Sequence, residues 1–257
     1  MFDLSVWLQG LGALAVVAVL GWLWSLVRRD VSSVDALWSL MFPIAGSVYV
    51  FRTESPGPRA LAVLALTSVW AIRLSAYITW RNHGQGEDRR YQEIRRRNEP
   101  NFAIKSLGLV FGFQALLAWI VSLPLLATAR GQAPWGPLDG VGVAVFGVGL
   151  FFETVGDLQL ARFKADPANR GLVMDRGLWR YTRHPNYFGD FCVWWGLALL
   201  GLAAGGVWGL VSPVVMSVLL LRVSGVALLE KDIGERRPKY AEYVRRTSAF
   251  FPMPPKA

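Results

Sequence analysis

Uncharged runs at residues 4–27 (24 residues), 36–51 (16 residues) and 106–128 (23 residues) stand out in this 257-residue chain. The first and last exceed the ~18 apolar residues that read as a membrane span. Composition agrees. Only 18% of residues are charged and 53% are hydrophobic, with 12 Trp, whereas a soluble domain carries roughly a quarter charged residues. A soluble globular enzyme is thereby excluded. Allowing isolated polar positions, residues 60–80, 141–163, 186–204 and 207–229 qualify as well, so the sequence predicts an all-α polytopic membrane protein of about seven helices. A barrel would need alternating segments of ~10 residues, which the chain lacks. The first run has no basic flank before it and is too long for a signal-peptide h-region, so it is expected to be a retained helix.

The basic residues set the expected orientation. Of the 27 Lys and Arg, 22 fall after the first, third, fifth and seventh helices, only Arg52, Arg59 and Arg130 fall on the opposite side, and Arg73 and Arg222 lie within helices. By the positive-inside bias the N-terminus faces out and the C-terminus lies in the cytoplasm. The net charge of +9 is then a topology signal rather than a nucleic-acid footprint, and no nucleic-acid partner is expected; the run Arg95, Arg96, Arg97 suits a solvated face near anionic lipid. The one cysteine, Cys192, allows no internal disulfide and no Cys-rich metal site, and His184 has no second ligand nearby, so no metal is expected.

Ionisable residues inside spans are costly and mark function by default. Glu153 and Asp157 are four apart on the fifth helix, as Asn186 and Asp190 are on the sixth, which puts each pair on one face. With Arg222 and Glu230 they suggest a polar cavity open to the cytoplasm; their alternative is to pair and hold the bundle. The densest segment is 177–190, GLWRYTRHPNYFGD. Arg180 and Arg183 supply forked donors suited to phosphate, and Pro185 suits the first turn of a helix whose free amides make an anion site.

This segment resembles the C-terminal domain of the steroid 5-alpha-reductase family, and most closely its bacterial membrane relatives, through Gly177, Leu178, Trp179, Tyr181, Asn186, Tyr187, Gly189, Asp190, Trp194 and Gly196. Asp157, Leu160 and Arg162 upstream, and Tyr240, Tyr243, Phe251 and Pro252 downstream, extend the likeness over roughly residues 140–257. The resemblance implies a single integral membrane domain with helices one to four (1–139) on the substrate side and helices five to seven (140–257) on the cofactor side. It implies NADPH as cofactor and reduction of a carbon–carbon double bond conjugated to a carbonyl in a lipophilic molecule, steroid-like, isoprenoid or fatty acyl. The implied cofactor residues are Asp157, Arg162, Tyr181, Asn186, Tyr187 and Asp190, with Arg222; the phosphate reading adds Arg180, Arg183 and His184. Membrane lipid is the other expected partner, and the bacterial inner membrane, with the cofactor site facing the cytoplasm, is the expected location.

The N-terminal half resembles the bacterial relatives instead, through Val34, Asp35 and Trp38 and through the loop GEDRRY ending at Tyr91. The steroid enzymes polarise the substrate carbonyl with a Glu and a Tyr from early helices, and no identical pair is present here. Asp35 and Tyr77 are the nearest catalytic candidates. A desolvated Asp35 could donate a proton to the developing enolate, although an acidic residue in this Ser-rich helix start also suits a cap. Two rivals stand beside the reductase. Arg183 to Tyr187, Glu230 and the Tyr240–Tyr243, Phe251–Pro252 tail also resemble isoprenylcysteine carboxyl methyltransferases, which use S-adenosylmethionine. A non-enzymatic lipid-binding or transport protein would bind neither cofactor.

Overall fold

The computed structural model describes residues 2–223 and 240–256. Among the described residues every regular element is helical. The helices are α1 Leu4–Arg28, α2 Ser33–Arg52, α3 Ala60–Asn82, α4 Arg89–Asn98, α5 Phe102–Val121, α6 Leu123–Arg130, α7 Pro137–Ala165, α8 Pro185–Ala203, α9 Val207–Val223 and α10 Tyr240–Arg246. Five of them, α1, α2, α3, α5 and α7, are long and apolar enough to cross a membrane. Their exposed side chains are apolar: α1 presents Val16, Leu20, Trp24 and Val27, the inverse of a helix solvated by water. The chain is an integral membrane protein by this criterion. The sixth expected span forms a helix, α8, but is not one of those five. The seventh is described only as α9, and its expected remainder, with Glu230, lies outside the described residues.

The fourth expected span, 106–128, does not form as one helix. It begins earlier, at Phe102, and ends at Val121; α6 then starts at Leu123 with Pro124 in its first turn. Proline has no N–H to give to the preceding turn and its ring clashes with that turn's carbonyl, so it opens a new helix rather than continuing the old one.

The chain divides into two compact units, Met1–Trp135 with Leu200–Val211, and Gly136–Leu199 with Ser212–Ala257. In the first, α1 to α3 pack around buried Met41, Phe42, Tyr49 and Trp70. The Tyr49 hydroxyl and Ser122 Oγ hydrogen-bond at 2.7 Å, which satisfies both where no water is at hand. Asp3 caps α1 by accepting from the Val6 amide at 3.0 Å and also pairs with Arg130 at 2.5 Å.

In the second unit, glycines let α7 and α8 approach backbone to backbone. A Cβ at Gly149 would fall 2.5 Å from the Val193 amide nitrogen, one at Gly196 2.6 Å from that of Phe146, and one at Gly189 would strike Glu153. Small residues at such crossings are how helices pack in lipid, where burial against a neighbour replaces no water. The contact fixes the start of α8 against the later turns of α7, and this positions the candidate site.

Candidate functional site

Asp157 lies on α7 and is buried; Asn186 lies in the first turn of α8. The close approach of the two helices brings them together, with Asn186 Nδ2 donating to Asp157 Oδ1 at 3.2 Å. Gly156 makes room for that approach, since a Cβ there would sit 3.2 Å from the Asn186 amide nitrogen. His184, also buried, stacks on Tyr187 with centroids 5.7 Å apart and planes 8° from parallel. Asp190 follows Asn186 by one turn and is partly buried. Two carboxylates, one carboxamide and a stacked imidazole–phenol pair thus lie at or near the beginning of α8.

The loop leading into α8 is held from both sides. The Trp179 indole donates to the Gly156 carbonyl at 3.0 Å, and the Leu178 amide donates to Gln159 Oε1 at 2.9 Å. Gly177, at φ 58°, makes the left-handed bend that a side chain would disfavour. On the other side, Thr182 Oγ1 donates to the Phe250 carbonyl at 2.7 Å, the Met253 amide to the Tyr181 carbonyl at 2.9 Å, and the Tyr243 hydroxyl to the Trp179 carbonyl. The Gly177, Leu178, Trp179 and Tyr243 matches therefore have a structural account in this chain.

Arg183 belongs to the same fastening. It is buried, and its Nη1 donates to the carbonyls of Thr247 at 2.7 Å and Val244 at 3.3 Å. Those carbonyls end α10, where the helix has no donors of its own and a cation is favoured. Arg180, Tyr181 and Arg162 are exposed. Arg222 is exposed in a π-helical turn of α9, and no bond to the Asp157 group is seen.

In the first unit Asp35 does not meet Tyr77. Tyr77 sits under two guanidinium groups, Arg73 at 5.7 Å and Arg81 at 5.8 Å from its ring. Asp35 instead accepts from the Tyr91 hydroxyl at 2.5 Å and from Arg90 Nη2 at 2.7 Å. A proton-donating Asp35 would need an oxygen that gives; both of its oxygens accept. Tyr91 is buried, and burial, followed by the Asp35 carboxylate, pushes its phenol well above the usual tyrosine range, so it keeps its proton and acts as a hydrogen-bond donor. Burial alone would lower Arg90, but Asp35 and Asp88 outweigh it and hold the guanidinium charged. The Ser32 hydroxyl accepts from the Asp88 amide at 2.7 Å, and Glu87 accepts from both the Val31 amide and Arg95. Tyr91 and Arg90 are the residues that sequence reasoning missed. Their only sign is the GEDRRY pattern, which reads as a charged loop and does not show the carboxylate it reaches, 55 and 56 positions away.

With this geometry in place, comparison with known proteins assigns the family. The family model for proteins of unknown function designated DUF1295 matches residues 21–247. The chain belongs to this family. An uncharacterized protein of Schizosaccharomyces pombe is 24% identical over 262 aligned residues, covering 90% of this chain and 75% of its own. A protein of Ustilaginoidea virens that bears the name probable O-methyltransferase is 37% identical over 79 residues, which is 31% of this chain and 27% of that one. No solved structure matches the chain.

Proposed function

We propose that this DUF1295 protein is a membrane-embedded reductase that uses NADPH to reduce a carbon–carbon double bond conjugated to a carbonyl in a lipophilic molecule. The observation that carries the reading is the Asp157–Asn186 pair where α7 meets the start of α8, two of the positions at which the resemblance implies cofactor contacts. The donor set suits a nicotinamide ribonucleotide. A carboxylate accepts from ribose hydroxyls, and a carboxamide gives and accepts at once, as the nicotinamide amide requires. Exposed Arg180 and Arg162 are left to meet phosphate, since the Arg183 guanidinium is engaged by the end of α10. When bound, NADPH supplies the hydride. The chain's own task at the carbonyl is to stabilise developing negative charge; the Tyr91 hydroxyl, whose one proton goes to Asp35, is not the donor for it. Asp35, bound to Tyr91 and Arg90, is then a structural partner, and Tyr77 is the remaining candidate for that task.

A second reading has one observation in its favour, the likeness to the protein named as an O-methyltransferase. It makes the same segment a site for S-adenosylmethionine, as the resemblance to isoprenylcysteine carboxyl methyltransferases also implies.

The test of the first reading is to compare Asp157→Asn and Asn186→Ala with the wild type in one detergent, measuring melting temperature and NADPH affinity together. The reductase reading expects affinity to fall roughly tenfold or more in both, the loss of one or two charge-assisted hydrogen bonds of about 1.5–3 kcal/mol, with melting little changed. Variants that melt early yet bind NADPH normally would reduce the pair to a helix tie.

A further inference from the structure

The half of α2 that ends at Arg52 carries a feature that reductase chemistry does not use. An open groove of about 430 Å³ runs along it, lined by Pro43, Ile44, Ser47, Val48, Phe51 and Arg52. The lining positions recur at helical spacing, so they form one stripe rather than a ring around the helix. From the first to the last is nine residues, about 13 Å at 1.5 Å per residue. That is close to the ~15 Å depth of a single leaflet, half of a ~30 Å hydrocarbon core. Apart from Ser47 and the terminal Arg52 the lining is apolar.

The charge at the end of the groove is unusual for its surroundings. Three basic side chains lie in the two connections on that side of the spans, and two of them are engaged. Arg130 pairs with Asp3 at 2.5 Å. Arg59 is wholly buried and gives its Nη1 and Nη2 to the carbonyls of Ala133 and Pro134 at 2.7 and 2.9 Å, over the ring of Trp135. Arg52 is exposed, and among the described residues it has no ion pair and no hydrogen bond; Glu54, two residues on, makes none with it. A cation in the last turn of α2 favours the helix dipole, but that role needs only the charge and not the groove beside it.

We propose that this groove binds an anionic phospholipid of the leaflet at which α2 ends, with one acyl chain along Ile44, Val48 and Phe51 and the phosphate on the forked donors of Arg52. A guanidinium pairs with phosphate in two parallel hydrogen bonds. An uncompensated positive charge selects a headgroup of net negative charge over a zwitterionic one, and the single-leaflet length selects a lipid over a soluble anion. This site is separate from the cofactor reading and stands whether or not the chain binds NADPH.

Native mass spectrometry of the full chain in mild detergent, with phosphatidylglycerol or phosphatidylcholine of identical acyl chains added, tests it. The wild type should retain one phosphatidylglycerol at least tenfold more strongly than phosphatidylcholine. Arg52→Ala should lose that preference, and Ser47→Phe, which fills the groove and leaves Arg52 in place, should lower retention of both lipids, each with an unchanged melting temperature. Equal retention of the two lipids by the wild type, or full phosphatidylglycerol retention by both variants, overturns the proposal. So does displacement by an equal concentration of oleate, which would make the occupant a free fatty acid. A Ser47→Phe effect on oligomer mass instead of lipid count would make the groove a contact between copies and overturn it too.

Discussion

Arg183 shows how a residue type can be read correctly for its chemistry and still be assigned to the wrong partner. A forked cation beside a helix start suits phosphate, yet its Nη1 meets the Thr247 and Val244 carbonyls, 64 and 61 positions away. The sequence displays the donor and cannot display which acceptor the fold delivers to it. Removing the side chain leaves the buried Thr247 carbonyl and the half-buried Val244 carbonyl at the end of α10 without this donor, at a cost of about 1–3 kcal/mol. Arg183→Ala is therefore expected to lower the melting temperature, and Arg183→Lys to recover part of the loss, since an ammonium can reach one carbonyl but not match the fork. Thermal melts in a single detergent check this; an Arg183→Ala protein that melts like the wild type would return the residue to the phosphate. Tyr91 is the complementary case, a residue whose partner Asp35 lies on a different helix. Tyr91→Phe leaves the largely buried Asp35 carboxylate one donor short and should cost about 1.5–3 kcal/mol, seen as a lowered melting temperature; a variant that melts like the wild type would mean the bond contributes nothing to stability.

At the scale of elements, α7 and α8 are joined through glycine, and the site follows from that join. Gly149, Gly189 and Gly196 each face backbone or Cβ atoms of the other helix. Gly189→Ala drives a methyl group into Glu153 and should cost about 1–3 kcal/mol as the helices separate. It should also weaken cofactor binding, because Asn186 sits less than a turn away. Gly147→Ala, where a Cβ meets nothing within 4 Å, is the control expected to do neither. Parallel melts of the two variants decide the matter, and equal stability would mean that the helices do not rely on this contact. The spans themselves were legible because uncharged runs of this length can only be helices in lipid. What was not legible depended on partners distant in sequence or on a local break. Pro124 ends one expected span early, Tyr91 of the GEDRRY loop turns inward from a helix, α4, and the Gly189 and Gly196 matches that carry the family resemblance serve packing. Within the candidate site, the i, i+4 spacing places Asn186 and Asp190 on one face, but only the glycine approach brings Asp157 to Asn186.

For the whole molecule, the asymmetry of 22 basic residues against 3 sets the expected orientation, and the reductase reading needs the start of α8 on the side where NADPH is found. A reporter active only in the cytoplasm, fused after Ala257, is expected to be active and the same reporter inserted at Gly131 silent; the opposite pattern would invert the membrane assignment and put the site out of reach of the cytoplasmic cofactor. The central claim is the identity of that cofactor, because the same segment resembles a reductase and a methyltransferase. Isothermal titration of the detergent-purified full chain with NADPH and, separately, with S-adenosylmethionine tests it most directly. Saturable binding of NADPH, without binding of S-adenosylmethionine, is the predicted result; binding of S-adenosylmethionine alone, or of neither, would contradict it.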